Sequence, residues 1–163
     1  MILLVMGTTG SGKTTIGTLL SKKLGWIFLD ADDLHPPANI AKMKQGIPLD
    51  DADRVPWLAR IHEELERLGE AGNDCVLGCS ALKQSYRETI GAGLDMKIVY
   101  LKGTYDEMRA HILARHGHFA GEGILAGQFR DLEEPQDAIV VSVGQTPDEI
   151  VRQVLRALEL PRT

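Results

Sequence analysis

The stretch Gly7-Thr8-Thr9-Gly10-Ser11-Gly12-Lys13-Thr14 decides the fold of this chain. It satisfies the phosphate-binding pattern G-x-x-x-x-G-K-[ST] in full, and it follows the apolar run Ile2–Met6. The residues from Thr14 to Leu24 have the character of a helix, so the loop lies between a strand and a helix N-terminus. In that context the backbone N–H groups curl inward and bind phosphate oxygens, helped by the helix dipole. The stretch therefore predicts a site for the phosphates of a nucleoside triphosphate.

The two residues that close the loop carry the chemistry of the pattern. Lys13 is expected to reach the β- and γ-phosphates, and the hydroxyl of Thr14 is expected to coordinate Mg²⁺. The alternative, a flexible glycine turn with an exposed lysine, is disfavoured by the flanking strand and helix. The pattern thus indicates ATP and Mg²⁺ as cofactors, and the predicted ATP-binding residues are Gly7, Thr8, Thr9, Gly10, Ser11, Gly12, Lys13, Thr14 and Thr15.

Composition indicates one ordinary globular domain. The 163 residues, 44% hydrophobic and 25% charged, suffice for one core, and no linker or repeat divides residues 1–163. The formal charge of −5 provides no basic field for nucleic acid, although it permits an anionic substrate held by local cations. No apolar run approaches the roughly 20 residues of a membrane span, and the N-terminal run is too short for a signal peptide. We therefore expect a cytoplasmic protein with no membrane or nucleic-acid partner.

The apolar runs predict an α/β fold of three layers. Segments with helical periodicity separate five short β-rich runs, namely Ile2–Met6, Ile27–Leu29, Cys75–Cys79, Lys97–Leu101 and Ala138–Val143. Runs that are apolar on both faces suit a five-stranded parallel sheet flanked by helices. A helix is predicted over Asp53–Leu68, and another begins at Thr146 with a capping box.

Two cysteines lie four residues apart in the third run. In a strand their Cα atoms would be ~13 Å apart, beyond disulfide reach. Cys75 and Cys79 are therefore expected to be packing residues. The histidines form no cluster of the kind that binds a transition metal, and His62 and His111 are interpreted as ordinary helix residues.

Polar residues follow the predicted strands at the edge where α/β sheets bind ligands. Asp30 and Asp32 follow the second strand, and a strand-like spacing of two would aim them the same way. One carboxylate there could orient or deprotonate an acceptor hydroxyl, and Asp30 could serve Mg²⁺. The alternative is that Asp32 or Asp33 caps the following turn.

Positively charged residues follow the third predicted strand, and another lies near the start of the long predicted helix. Lys83 and Arg87 are four apart, which predicts one helix face that suits a carboxylate or phosphate, and Ser80 precedes them. Arg54 is a similar candidate. Their alternative is a solvated face.

The segment from Arg115 to Arg130 is rich in glycine, which dilutes any helix there. It is either a mobile surface loop or, as we favour beside a phosphate-binding loop, a lid over bound nucleotide. In the lid an arginine would supply a transition-state cation. His35 and His118 flank the predicted site.

Missing motifs narrow the class of protein. The sequence has no N-K-x-D motif of the kind that recognises guanine in GTPases and no L-S-G-G-Q-like signature. The third strand also lacks the terminal aspartate that is typical of large ATPases. These absences favour a small kinase that phosphorylates a metabolite.

From Met1 to about Leu158 the chain resembles the P-loop gluconokinases of the thermoresistant type. Beyond the phosphate-binding loop, the resemblance rests on Leu34-His35-Pro36, on Pro48-Leu49-x-Asp51-x-Asp53-Arg54-x-Pro56-Trp57-Leu58, on Cys79-Ser80-Ala81-Leu82-Lys83-x-x-Tyr86-Arg87, and on Gly117-His118-Phe119. The family resemblance implies ATP-dependent phosphorylation of D-gluconate at its 6-hydroxyl, a kinase fold with a lid, and a homodimer.

The resemblance also assigns residues. Lys13, Asp32 and Arg115 would be catalytic, with Asp32 facing the acceptor hydroxyl. Thr14 and Asp30 would serve Mg²⁺, directly or through water. The residues expected at the gluconate site are Asp32, His35, Arg54, Ser80, Lys83, Arg87 and His118. Two alternatives remain open at this point, another small-metabolite kinase of the shikimate or nucleotide type, and an ATP-binding sensor without catalysis.

Overall fold

Five parallel strands form the central sheet. The structure, a computed structural model, describes residues 1–117 and 122–158. The strands are β1 Ile2–Met6, β2 Ile27–Asp30, β3 Cys75–Gly78, β4 Met96–Lys102 and β5 Ile139–Ser142. They lie in the order β2-β3-β1-β4-β5, and every neighbouring pair is parallel. The predicted five-stranded parallel sheet is confirmed, with each strand end within one residue of its expected position.

Helices cover both faces of this sheet. Within the described part of the chain they are α1 Lys13–Leu24, α2 Pro37–Lys44, α3 Asp51–Glu70, α4 Gln84–Gly91, α5 Tyr105–His116, α6 Glu122–Asp131 and α7 Pro147–Ala157. Buried residues of α3 and α4 form one hydrophobic cluster, and those of α1, α5, α6 and α7 form the other. The predicted three-layer α/β architecture is therefore the observed one.

The central strand β1 shows why the sheet is apolar on both faces. Its five residues are all buried. Leu4 packs in the cluster that contains Ile61 and Leu65 of α3, whereas Val5 packs in the cluster that contains Leu20 of α1. Burying one such aliphatic side chain contributes about 1.5–3 kcal/mol, so β1 fixes both layers to the sheet and holds the loop that follows it.

Capping boxes set where three helices begin. Asp50 caps α3 with Asp53, Thr104 caps α5 with Glu107, and Thr146 caps α7 with Glu149, the last as predicted. In each case the cap side chain accepts from the backbone N–H three residues on, and the partner carboxylate accepts from the cap N–H. The start of α3 at Asp51 positions the side chains of the first helical turn.

Part of the glycine-rich segment is helical. We predicted that glycine would dilute any helix between Arg115 and Arg130, and this is wrong for α6. Leu125 is fully buried and Phe129 packs on Tyr105, with ring centroids 5.9 Å apart. This packing outweighs the propensity cost of roughly 1 kcal/mol for each glycine. The predicted site residue His118 lies outside the described residues.

No helix in residues 1–117 and 122–158 combines the length and the apolar character needed to cross a membrane.

Candidate active site

The phosphate-binding loop joins β1 to α1 in a conformation that requires glycine. Gly10 has φ +81, and a Cβ there would lie 2.7 Å from the carbonyl oxygen of Met108. A Cβ on Gly7 would lie 2.6 Å from the hydroxyl of Ser11. The loop thus packs directly against the first turns of α5, and any side chain at these positions would open it.

Lys13 lies inside the curve of this loop. Its ammonium donates to the carbonyl oxygens of Gly7 and Thr8, at 3.1 and 3.0 Å. Desolvation lowers the pKa of Lys13, while the carboxylates of Asp32 and Asp30 act in the opposite direction. The lysine is therefore held at the point where phosphates would enter, within electrostatic reach of the acidic residues at the end of β2 and just beyond it.

Helix α5 supports the loop through His111, which the sequence led us to interpret as an ordinary helix residue. His111 Nδ1 lies 2.8 Å from the carbonyl oxygen of Gly10. One turn later Arg115 is exposed and, like His111, lines a cavity beside the loop, which makes it available there as a cation. The spacing of four between His111 and Arg115 was a signal for this shared face.

Helix α6 also contacts the loop. The side-chain oxygen of Gln128 accepts a hydrogen bond from the backbone N–H of Thr9, at 2.6 Å. This bond links the second half of the glycine-rich segment to the first half of the phosphate-binding loop.

A cavity of about 550 Å³ opens beside the loop. Loop residues, including Thr15 at the start of α1, form one end. Side chains near the start of α7 form a more apolar wall, and these are Val143, Gln145, Pro147 and Ile150. The volume is in the range of small-ligand sites. A polar loop at one end and an apolar wall at the other suit a nucleotide, with its phosphates at the loop and its base against the wall.

Asp30, at the end of β2, and Asp32, just beyond it, are linked by a turn rather than by a continuing strand. β2 ends at Asp30, whose Oδ1 accepts from the backbone N–H of Asp32 at 3.0 Å, and a 3-10 turn covers residues 31–34. The strand-like spacing that we predicted is therefore wrong, and the residue that caps the turn is Asp30 rather than Asp32 or Asp33. Desolvation raises the pKa of Asp30 above its ordinary value.

A buried histidine ties this turn to α3. The ring of His35 stacks on Trp57 with centroids 4.3 Å apart and an angle of 11°, and Trp57 Nε1 donates to the carbonyl oxygen of Ala31 at 2.8 Å. Burial lowers the pKa of His35, while Asp32 raises it and Arg54 lowers it. His35 is therefore held between the acidic turn and the cationic start of α3, in its uncharged form at neutral pH.

Four side chains form a polar cluster where α3 meets α4. Arg54 Nη1 lies 3.3 Å from the hydroxyl of Tyr86, and Lys83 Nζ lies 3.2 Å from Asp51 Oδ1. Both cations also lie 5.6 Å from the centre of the Tyr86 ring. The structure thus brings Arg54 and Lys83 together, as predicted, with Tyr86 and Asp51 between them.

Arg87 lies in a different environment from Lys83. Lys83 precedes α4 rather than belonging to it, so the shared helix face that we predicted is wrong. The guanidinium of Arg87 is buried and donates to the carbonyl oxygens of Ala81 and Glu133, at 2.6 and 2.8 Å. The Ser80–Lys83 turn, in which Ala81 has φ 45 and Ser80 is half-buried, is thereby tied to the residues that follow α6.

The cysteines behave as predicted. Cys75 and Cys79 are buried and unpaired. Burial raises the pKa of Cys75 to about 11 and that of Cys79 to about 12, so both thiols are uncharged packing groups. Within residues 1–117 and 122–158, no group of three or more histidine, cysteine, aspartate and glutamate side chains could bind a metal on its own.

Comparisons with known proteins agree with this geometry. The family model of shikimate kinase matches residues 9–159. Gluconokinase of Gluconobacter oxydans strain 621H is 44% identical, covering 94% of this chain and 89% of its own. Thermoresistant gluconokinase of Escherichia coli K12 is 35% identical, covering 97% and 93%. The crystal structure of a gluconokinase from Sinorhizobium meliloti 1021 superposes with a TM-score of 0.86 at 40% identity, covering 96% and 90%.

Proposed function

The chain belongs to the gluconokinase family, and we propose that it transfers the γ-phosphoryl group of ATP to the 6-hydroxyl of D-gluconate, giving 6-phospho-D-gluconate and ADP. One observation carries the proposal. A phosphate-binding loop with its lysine, two carboxylates after β2, and the cluster around Arg54 and Lys83 all lie at the same edge of the sheet. Phosphoryl donor, acceptor hydroxyl and acceptor carboxylate would each find a matching group there.

The acceptor side of the site suits a sugar acid. D-gluconate is a polyol with one carboxylate, and it needs cations at one end and hydrogen-bonding groups along its length. Arg54 and Lys83 provide the cations, His35 lies between Arg54 and the acidic turn, and Ser80 precedes Lys83 in the same turn. We extend the proposed gluconate site to Arg87 and His118 on the family resemblance alone.

The nucleotide side would work by positioning and charge neutralisation. Lys13 would exchange its two backbone carbonyl partners for the β- and γ-phosphate oxygens, which are stronger acceptors. Arg115, exposed at the cavity, would add positive charge as the phosphoryl group transfers. The buried, unpartnered hydroxyl of Ser11 is a further group at which a phosphate contact would be satisfied.

Asp32 would face the 6-hydroxyl. A carboxylate at that position aligns the hydroxyl with the γ-phosphorus and accepts its proton as the new P–O bond forms. The hydrogen bond from its own N–H to Asp30 fixes the turn that carries it, and the exposed side chain is free to reach the acceptor.

The residues fit a magnesium ion. The hydroxyl of Thr14 and the carboxylate of Asp30 are oxygen donors of the kind that Mg²⁺ prefers; Thr14 follows Lys13 in the chain, and the Asp30 carboxylate lies within electrostatic reach of Lys13. When bound with ATP, the ion supplies charge neutralisation at the β- and γ-phosphate oxygens.

Three further proposals rest on the sequence and the family. The segment 115–130 would act as a lid within the single domain 1–163, and the bond between Thr9 and Gln128 supports this, because it couples α6 to the loop. The active form would be a homodimer. The enzyme would act in the cytoplasm, at the step that feeds 6-phosphogluconate into the pentose phosphate pathway.

Shikimate is the second candidate acceptor, because the shikimate kinase model matches most of the chain. It is also a hydroxylated carboxylate, so the same cations could bind it. The high identity to gluconokinases over nearly full length favours gluconate.

A matched pair of variants tests the proposal. We expect Asp32→Asn to lower kcat by about 100-fold or more while ATP affinity changes little, since a general base contributes roughly 10²–10⁴-fold. Asp33→Asn, an exposed aspartate in the same turn, should retain wild-type turnover. ATP affinity is measured by calorimetry, and ³¹P NMR of the product tests the 6-position. Full turnover in Asp32→Asn would refute the role of Asp32, and absence of wild-type turnover on gluconate would refute the activity.

A further inference from the structure

The first residue of α3 engages the cations that the proposed acceptor site needs. Asp51 Oδ1 accepts from Lys83 Nζ at 3.2 Å and also accepts a short hydrogen bond from the hydroxyl of Tyr86. Arg54 Nη1 lies 3.8 Å from the same oxygen. An ammonium, a phenol and a guanidinium thus converge on a single carboxylate oxygen.

These donors come from separate parts of the chain. Arg54 lies one turn along α3, Lys83 precedes α4, and Tyr86 lies in the first turn of α4. Asp51 itself is 68% exposed, so the carboxylate sits at the open side of the cluster. An exposed side chain can swing into solvent without disturbing the core, whereas the Tyr86 ring is buried and holds the two cations above it.

The three donors of this cluster can bind one carboxylate at a time. Two carboxylates at the same donors would repel one another, and each donor would have to be shared. A bound sugar acid would bring its own carboxylate to Arg54 and Lys83. It would therefore compete with Asp51 for these partners.

We propose that Asp51 is an internal counter-ion that occupies the acceptor-carboxylate position and must be displaced by the substrate's own carboxylate. This inference rests on the proposed function and names the residue that selects anionic acceptors. An acceptor with a carboxylate replaces every contact that Asp51 loses, whereas an uncharged polyol leaves two cations without a partner. The hydrogen bond from Tyr86, and then that from Lys83, hold the pKa of Asp51 below its ordinary value, in agreement with a fully ionised counter-ion at neutral pH.

Asp51 can be changed without removing the start of α3. The capping box belongs to Asp50 and Asp53, and Asp53 pairs with Lys42 at 2.8 Å. Asp51 contributes only a first-turn charge that favours the helix dipole slightly. The exposed first-turn aspartate of α5, Asp106, is therefore a matched control.

The test measures gluconate binding by calorimetry and steady-state kinetics at saturating ATP, for wild type, Asp51→Asn, Asp51→Ala and Asp106→Asn. We expect both Asp51 variants to lower KM and Kd for gluconate by about 3- to 10-fold, because an exposed ion pair has only a modest effect on affinity. Their kcat should stay within about twofold, Asp106→Asn should match wild type, and the uncharged polyol D-glucitol should gain no rate.

Two results would overturn the inference. A gluconate KM that is unchanged or higher in both Asp51 variants would mean that Asp51 assists the substrate or does not meet it. An equal gain for D-glucitol would mean that the substitution merely widens the site. Either result with an active wild type leaves the proposed function intact, whereas a wild type that neither binds nor phosphorylates gluconate contradicts the proposed function itself.

Discussion

Replacing Arg87 with methionine is expected to lower the free energy of unfolding by about 3–4 kcal/mol. The sequence assigned this arginine to the acceptor site, but the structure gives its guanidinium three partners within the protein. These are the carbonyl oxygens of Ala81 and Glu133, and the side-chain oxygen of Gln84 at 3.1 Å. The residue is only 3% exposed, so the bonds form away from water.

The magnitude follows from the two carbonyl acceptors. A hydrogen bond from a charged donor contributes about 1.5–3 kcal/mol, so the two together contribute roughly 3–6 kcal/mol. Methionine keeps most of the packing of the aliphatic stem and removes the cost of burying a cation, and this brings the expected loss to about 3–4 kcal/mol. The desolvation that the variant relieves is the same effect that lowers the pKa of Arg87.

Urea unfolding followed by circular dichroism measures the change. Arg87→Lys should lose about half as much as Arg87→Met, because one ammonium can satisfy one of the two carbonyls. Arg60→Met, at an exposed position of α3, should change the free energy of unfolding by no more than about 0.5 kcal/mol.

Kinetics separates a structural role from a direct one. Under conditions where all variants are folded, Lys83→Met should raise the gluconate KM more than Arg87→Met does. A stability loss below about 1 kcal/mol in Arg87→Met, together with a gluconate KM raised as much as in Lys83→Met, would refute the reasoning, because it would mean that Arg87 acts mainly by binding gluconate.

Three other predictions concern the loop, α5 and the buried histidine. Gly10→Ala should raise the ATP Kd at least about tenfold and lower the melting temperature, because the added Cβ would collide with the carbonyl oxygen of Met108. Calorimetry with ATP measures the Kd, and an unchanged Kd would contradict this prediction. His111→Ala should raise the KM for ATP severalfold with the gluconate KM unchanged, and equal changes in both would point to a general disturbance. His35 has a lowered pKa, so folded His35 resists a proton that the unfolded chain accepts below about pH 6.5. Stability should therefore fall as pH drops below that value and level off below the folded pKa; His35→Gln should flatten this slope in urea titrations, and an unaltered slope would exclude His35 as its source.

The sheet and its loop could be predicted because their signals are local and redundant. The run Ile2–Met6 is apolar on both faces, the loop pattern follows it at once, and a helix follows the loop. Each of these features points to the same fold, so the strand ends were placed to within one residue. The Thr146 cap was predicted for the same reason, since its partner lies only three residues away.

The errors arise where distant contacts outweigh local preference. Helix α6 contains two glycines, but Leu125 packs in the core and Phe129 on Tyr105, and neither contact is visible in the segment itself. The helix-face argument for Lys83 and Arg87 assumed that α4 begins before Lys83, whereas Lys83 is its cap residue.

Side-chain partners that are distant in the sequence could not be foreseen either. No sequence feature near Arg87 predicts its hydrogen bond to the carbonyl oxygen of Glu133, which is 46 residues away. Asp51 was part of a family motif, but its contact with Tyr86 depends on how α3 and α4 cross. The spacing of residues in the sequence predicts which polar groups lie at the edge of the sheet, whereas tertiary packing determines which of these groups contact one another.

The most direct test of the central claim is a coupled ADP-release assay with Mg·ATP and a panel of acceptors. The panel comprises D-gluconate, shikimate, glycerate, hexoses and nucleoside monophosphates. We predict a strong rate with D-gluconate and only background ATP hydrolysis with the others. ATP binding without turnover on gluconate, or a faster rate with shikimate, would contradict the proposed activity and leave only the phosphate-binding loop and the fold.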